Sequence, residues 1–151
     1  MTSQKSSFNR GMRSSATDLW ETPDDFFEMY NQLYHFTLDV CALPENTKCD
    51  RFFTPEQDGL TQDWRGEVCW MNPPYGRVIG LWVQKAATSG AFTVCLLPSR
   101  TDTRWWHDWV IPYGQVEFIK GRLKFGGSKN SAPFPSAVVI FDPVCVRQAG
   151  V

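Results

Sequence analysis

Two consecutive prolines, Pro73 and Pro74, close an apolar run that begins at Val68, and no other feature constrains this chain as tightly. Proline fixes φ near about −65° and has no N–H, so Val68-Cys69-Trp70-Met71 is expected to end as a strand at Asn72. The turn that follows, Asn72-Pro73-Pro74-Tyr75-Gly76, is rigid and also carries a chemistry. The Asn carboxamide oxygen and a proline carbonyl are acceptors, and together they match the two N–H bonds of one planar amino group. Neither proline supplies a donor to compete for them. Tyr75 adds a ring face for a flat base or amide. Two acceptors drawing on one amino group pull its lone pair away from the attached ring, which an amino nitrogen must undergo before it attacks a methyl donor.

From Val68 onward the chain alternates strand and helix. The pattern predicts strands at 68–71, 92–97, 116–119 and 137–141, and helices at 78–88 and 102–110, the second stopped by Pro112. A long Gly- and Pro-containing loop is expected over 121–135. Upstream, Thr22-Pro23 reads as an N-cap followed by proline at the first helical position, with Asp24 and Asp25 favouring the helix dipole. Phe26, Phe27, Tyr30, Leu33 and Tyr34 give that helix an apolar face. Phe36 to Cys41 reads as a buried strand, and Phe52 to Thr54 as a short one. The rhythm implies an α/β domain with a mainly parallel sheet and helices on both faces, in which ligands sit beyond the C-terminal strand ends. Asp39 and Asn72 both fall at such ends.

The 151 residues suffice for one domain with a substantial core. No apolar run approaches the roughly 20 residues of a membrane span, and Met1 to Ser15 has no stretch that would serve as a signal peptide. The five cysteines, Cys41, Cys49, Cys69, Cys95 and Cys145, read as free thiols of a reducing cytoplasm. Only the Cys41 and Cys49 spacing hints at metal, and with His35 and His107 as the sole histidines no metal is expected. The net charge of −1 is unevenly spread: residues 1–17 carry +3, residues 18–63 carry −9 and residues 64–151 carry +5. The basic half suits a polyanion. The organisation expected is a flexible basic arm over 1–17, a domain over 18–145 and a tail over 146–151.

Several segments, taken in order, resemble the phage-type DNA N6-adenine methyltransferases (Dam family). They are Trp20-Glu21-Thr22-Pro23, Leu38-Asp39-Val40-Cys41-Ala42 with Glu45-Asn46 and Lys48-Cys49, Asp58-Gly59-Leu60 with Trp64, and Asn72 to Gly76. Further on come Leu97 to Thr103, Gly121-Arg122-Leu123-Lys124-Phe125 and Ala132 to Ser136. The resemblance spans about residues 18–143. It implies a reduced, single-domain Rossmann-like methyltransferase fold that uses S-adenosylmethionine, and a phage- or prophage-encoded protein of the bacterial cytoplasm. It also implies that Trp20, Thr22, Pro23, Asp39, Cys41 and Ala42 line the cofactor's methionine end. A carboxylate at a strand end suits an ammonium group, and a helix N-terminus suits a carboxylate. Asp58 or Asp63 would take the ribose hydroxyls or the adenine amino group, although Asp58-Gly59 is also an ordinary turn. The loop after the first strand, Cys41-Ala42-Leu43-Pro44, lacks the glycines many methyltransferases carry there.

The implied reaction is methyl transfer to N6 of an adenine flipped out of DNA, with Asn72, Pro73, Pro74 and Tyr75 as the catalytic turn. Arg100, Arg104, Arg122, Lys124 and Lys129 are the expected phosphate contacts. Trp105, Trp106 and Trp109 read as core, and His107 as an exposed or capping residue. The same turn also serves methyltransferases acting on RNA bases or on protein glutamine amides, and a non-catalytic DNA-binding protein could keep the fold.

Overall fold

The computed structural model describes residues 19–126 and 130–144. The expected arm over 1–17, the tail over 146–151, Lys129 and Cys145 lie outside the described residues. The first helix, α1, spans Asp24–Tyr34. Strand β1 is Leu38–Asp39, followed by a 3₁₀ turn at Gly59–Thr61 and by β2, Val68–Met71. Helix α2 spans Ile79–Thr88 and strand β3 Phe92–Pro98. A helix over 104–113 precedes β4, Gln115–Phe118, and β5, Ser136–Phe141.

The five strands form one sheet in the order β1-β2-β3-β5-β4. β1, β2 and β3 pair in parallel, whereas β5 is antiparallel to both β3 and β4. β4 therefore points the same way as β1, β2 and β3, and β5 alone opposes them. The expected parallel sheet holds in the direction of four strands, but two of the four ladders are antiparallel. The reason is topological: β4 and β5 are joined by a loop on one side, as antiparallel neighbours can be, without a crossover helix.

Register assigns the faces. Trp70, Val94 and Ile140 are partners across β2, β3 and β5, and Phe27 of α1 meets Trp70 edge-on at 5.1 Å. Tyr30 of α1 donates 2.7 Å to Glu117 of β4, so α1 crosses this face to the far edge. Met71, Cys95, Val139 and Val116 share the opposite face. There Trp106 stacks on Phe118 at 6.4 Å, and α2 lies alongside, its Gly80 facing Trp105. Helices cover both faces, as the strand–helix rhythm implies. Phe27, Trp70, Val83, Val94, Leu96 and Val139 are among the buried side chains of one continuous core.

Three expected boundaries move. The strand expected over 36–41 is two residues long, although Thr37 and Val40 extend its bonding to Val68 and Trp70. Phe52 contributes one parallel bridge to Asp39 rather than a strand. The helix expected to stop before Pro112 continues to Tyr113, because residues Trp106–Val110 take π geometry. The Ile111 N–H bonds Trp106 O, and this wider turn relieves the clash of a proline ring with the preceding turn.

Candidate active site

Asp39 ends β1, Asn72 follows β2, and both border a cavity of about 230 Å³ beyond the C-terminal ends of these neighbouring strands. Trp20, Thr22, Cys41, Ala42, Pro73 and Pro74 also line it. Six residues that the sequence reading did not assign complete the lining: Leu19, Glu21, Leu43, Asn46, Lys48 and Gly126, with Trp70 at the floor. Glu21, Asn46 and Lys48 stand inside segments that carry the family resemblance, which was the available signal for them. Leu19 and Gly126 carried none.

The carboxylate of Asp39 is 3% exposed. Its oxygens accept the backbone N–H of Lys48 at 3.0 Å and of Cys41 at 3.3 Å, so the loop after β1 wraps around the acid. Burial pushes its pKa from 3.8 up to about 7, against the opposing pull of these two N–H groups and the Lys48 charge. The Lys48 ammonium itself is paired with Asp24 in the first turn of α1. Asn46 holds the loop by accepting the Leu43 N–H at 2.8 Å.

Asn72 is held by its amide nitrogen. Nδ2 donates to the Trp20 carbonyl and, at 2.9 Å, to the Thr22 hydroxyl. The Trp20 carbonyl only accepts, which fixes the orientation of the carboxamide. Oδ1, the remaining acceptor, is buried without a hydrogen-bond partner. Thr22 is not the helix cap: Pro23 occupies the N-cap position with no side-chain bond, and the Thr22 hydroxyl faces Asn72 instead.

Tyr75 is 1% exposed, and its hydroxyl donates 2.9 Å to the Leu96 carbonyl. The ring face that the sequence offers to a flat group is covered. Phe134 and Phe125 meet it edge-on at 5.5 and 6.3 Å, and the same two rings pack edge-on against Trp20. Tyr75 therefore adjoins the Asn72 turn without lining the cavity. Arg100 Nη1 donates 2.9 Å to the Tyr75 carbonyl, and the guanidinium lies 5.9 Å from the Phe134 ring centroid.

Asp58 caps the 3₁₀ turn, accepting the Leu60 N–H at 3.2 Å. The next residue, Gly59, presses on the end of β1, where a β-carbon would stand 2.2 Å from the Val40 carbonyl oxygen. Asp58 does not line the cavity, yet it lies close enough to help raise the Cys41 thiol, behind burial and Asp39. Asp63 is exposed and bonded to Arg65, which holds its carboxyl down at about 2. It too is outside the cavity lining. Arg100, Arg104, Arg122 and Lys124 are exposed and stand in no ion pair among the described residues. Arg122 reaches back to the Ala132 carbonyl at 3.3 Å, tying the ends of the long loop. Trp106 is buried and Trp105 and Trp109 pack on the core, while exposed His107 contacts the Thr101 carbonyl. Among the described residues no group of three His, Cys, Asp or Glu side chains is placed to hold a metal, and no helix is long and apolar enough to cross a membrane.

A buried carboxylate and a half-satisfied carboxamide thus stand at adjacent strand ends of this α/β protein, beside an Asn-Pro-Pro-Tyr turn. A family model described as DNA N-6-adenine-methyltransferase (Dam) matches residues 10–144. The chain is 34% identical over 142 residues to the DNA N-6-adenine-methyltransferase of Haemophilus phage HP1, covering 87% of this chain and 82% of that relative. It is 32% identical over 93 residues to the DNA N-6-adenine-methyltransferase of Escherichia phage T1, covering 58% of this chain and 39% of the other. The chain belongs to the DNA N-6-adenine-methyltransferase (Dam) family.

Proposed function

We propose that this chain transfers a methyl group from S-adenosylmethionine to N6 of a flipped-out adenine in DNA, on a small Rossmann-like methyltransferase fold. The observation that carries this reading is the Asn72 carboxamide: its nitrogen is anchored twice, and its oxygen is buried beside the cavity without a donor. A buried acceptor left unpaired costs about 1–3 kcal/mol, a cost that makes sense where a substrate N–H completes it.

The cavity residues fit the cofactor's amino-acid end. Asp39 matches an ammonium group, and the Thr22 hydroxyl borders the same cavity, whereas Pro23 and the first turn of α1 lie outside its lining. Cys41 and Ala42 are small and leave room in the cavity. For the adenosyl hydroxyls, Asp58 is the better placed acid, since it acts on Cys41 whereas Asp63 is engaged by Arg65. Bound S-adenosylmethionine supplies an electrophilic methyl group on a sulfonium. The chain's own part is positioning. Asn72 Oδ1 and the Pro73 carbonyl take the two N–H bonds of the adenine amino group and free its lone pair for attack. The adenine must leave the duplex to reach them, at about a few kcal/mol, and stacks on Tyr75 once Phe134 gives way. Exposed Arg100, Arg104, Arg122 and Lys124 are the phosphate contacts of this reading, with Lys129 in the same loop.

The test is transfer of label from methyl-labelled S-adenosylmethionine to unmethylated DNA, RNA and protein side by side. Label on DNA recovered as N6-methyladenine is the expected result. Label on RNA or protein with none on DNA would overturn the reading.

A further inference from the structure

Among the described residues four buried side-chain polar atoms have no hydrogen-bond partner: Trp20 Nε1, Asn72 Oδ1, Ser99 Oγ and Ser136 Oγ. They are not scattered. Asn72 is bonded to the Trp20 carbonyl, the Trp20 ring packs on Phe134 at 5.1 Å, and Ser136 follows two residues later. The Ser99 N–H is bonded to Pro135 between them at 2.9 Å. In folded proteins buried polar atoms are almost always paired, so four orphans around one aromatic cluster point to a place that takes a polar partner.

The chemistry of the orphans narrows that partner. Asn72 Oδ1 only accepts and an indole N–H only donates, whereas the two serine hydroxyls do either. Trp20 and Asn72 line the same cavity and the Trp20 main-chain carbonyl accepts from Asn72, so an obligate acceptor and an obligate donor belong to neighbouring residues, a set that complements an amino group flanked by an unprotonated ring nitrogen. We propose that the Trp20 indole N–H donates to the ring nitrogen beside the adenine N6, and so selects the base that Asn72 engages. Trp20 thereby belongs to the base as much as to the cofactor cavity. A base with a carbonyl at that position would set oxygen against Asn72 Oδ1 and a ring N–H against the indole N–H, leaving both pairs unmatched. This inference rests on the DNA-adenine reading above.

The experiment is a cycle between protein and base. Trp20→Phe keeps the ring against Phe125 and Phe134 and removes only the donor. Oligonucleotides carrying adenine, 1-deazaadenine or 7-deazaadenine at the target remove one ring nitrogen at a time. Trp20→Phe is expected to lower kcat/KM about tenfold on adenine and on 7-deazaadenine and to have no effect on 1-deazaadenine, which has lost N1, the contacted nitrogen, with S-adenosylmethionine affinity by calorimetry unchanged. An equal loss on all three bases, or a weakened cofactor affinity in its place, would overturn the proposal. The wild-type protein gives an independent check should the variant fold poorly: equal turnover on all three bases also overturns it. Absence of transfer by the wild type to any of these DNAs would instead be a failure of the DNA-adenine reading.

Discussion

Asp39 and Asn72 border one cavity from adjacent parallel strands, yet their polar atoms are treated in opposite ways. The Asp39 oxygens are supplied by two backbone N–H groups of the loop that follows, whereas the Asn72 oxygen is left with nothing. On the proposed reading the difference separates the two ends of the cavity: a carboxylate fixed by the scaffold suits a charge that arrives and leaves unchanged, and an amide anchored by its nitrogen, with its oxygen bare, suits a group that is altered while it is held.

The sharpest way to break this contrast is at Asn72. Asn72→Ala should slow methyl transfer at least about a hundredfold, as removal of a transition-state acceptor does elsewhere, while S-adenosylmethionine affinity stays near wild type. A folded Asn72→Ala protein with undiminished turnover would make the carboxamide a structural strut. Asp39→Asn should do the converse and weaken S-adenosylmethionine binding by about tenfold or more, since a charged hydrogen-bond partner is lost. Calorimetry finding equal affinity would move the ammonium site away from β1.

A third effect follows from the acidity of Asp39. Its folded pKa, about 7, lies above the 3.8 of a free aspartate, so the folded protein holds a proton that the unfolded chain has released. Without cofactor, this group should make the protein less stable as pH rises from about 4 to about 7, and the full penalty persists above that. Denaturant titrations of wild type and Asp39→Asn should differ in slope over that window alone. Cofactor affinity should run the other way and rise through about 7, because an ammonium favours the ionised acid. The smallest effect belongs to the basic loop. Arg122→Ala should make the salt dependence of DNA binding shallower by about one unit and leave cofactor affinity alone. An unchanged slope with unchanged turnover would leave the loop closure to Ala132 as the sole task of Arg122 and shift attention to Lys5, Arg10 and Arg13.

Much of this was legible in the order of residues. The apolar run into Asn72 and the isolated acid in Phe36 to Cys41 are local signals, and local signals place strand ends. The buried face of α1 was partly plain, since Phe27 and Tyr30 repeat with helical spacing, whereas Leu33, expected on the same face, is 68% exposed. What stayed hidden depends on contacts between distant segments. Nothing around Thr22 tells that its hydroxyl meets a side chain 50 residues away, when a threonine before proline and two aspartates reads as a cap. The covered ring of Tyr75 was hidden for the same reason, because Phe125 and Phe134 come from a loop without periodicity. Antiparallel β5 was missed because a buried strand reads alike in either direction.

That strand has a consequence for how the molecule is made. β5 slots between β3 and β4, although both leave the ribosome earlier, and β4 has no other neighbour in the sheet. A nascent chain with its catalytic turn, its cofactor loop and β4 already synthesised still presents two bare strand edges, which are prone to mispairing. The sheet closes only when residue 141 has emerged, so every chemical group described above exists in the polymer well before the last strand gives it a frame. Assembly waits on the long-range pairing of β5, the strand farthest in sequence from Trp20 and Thr22.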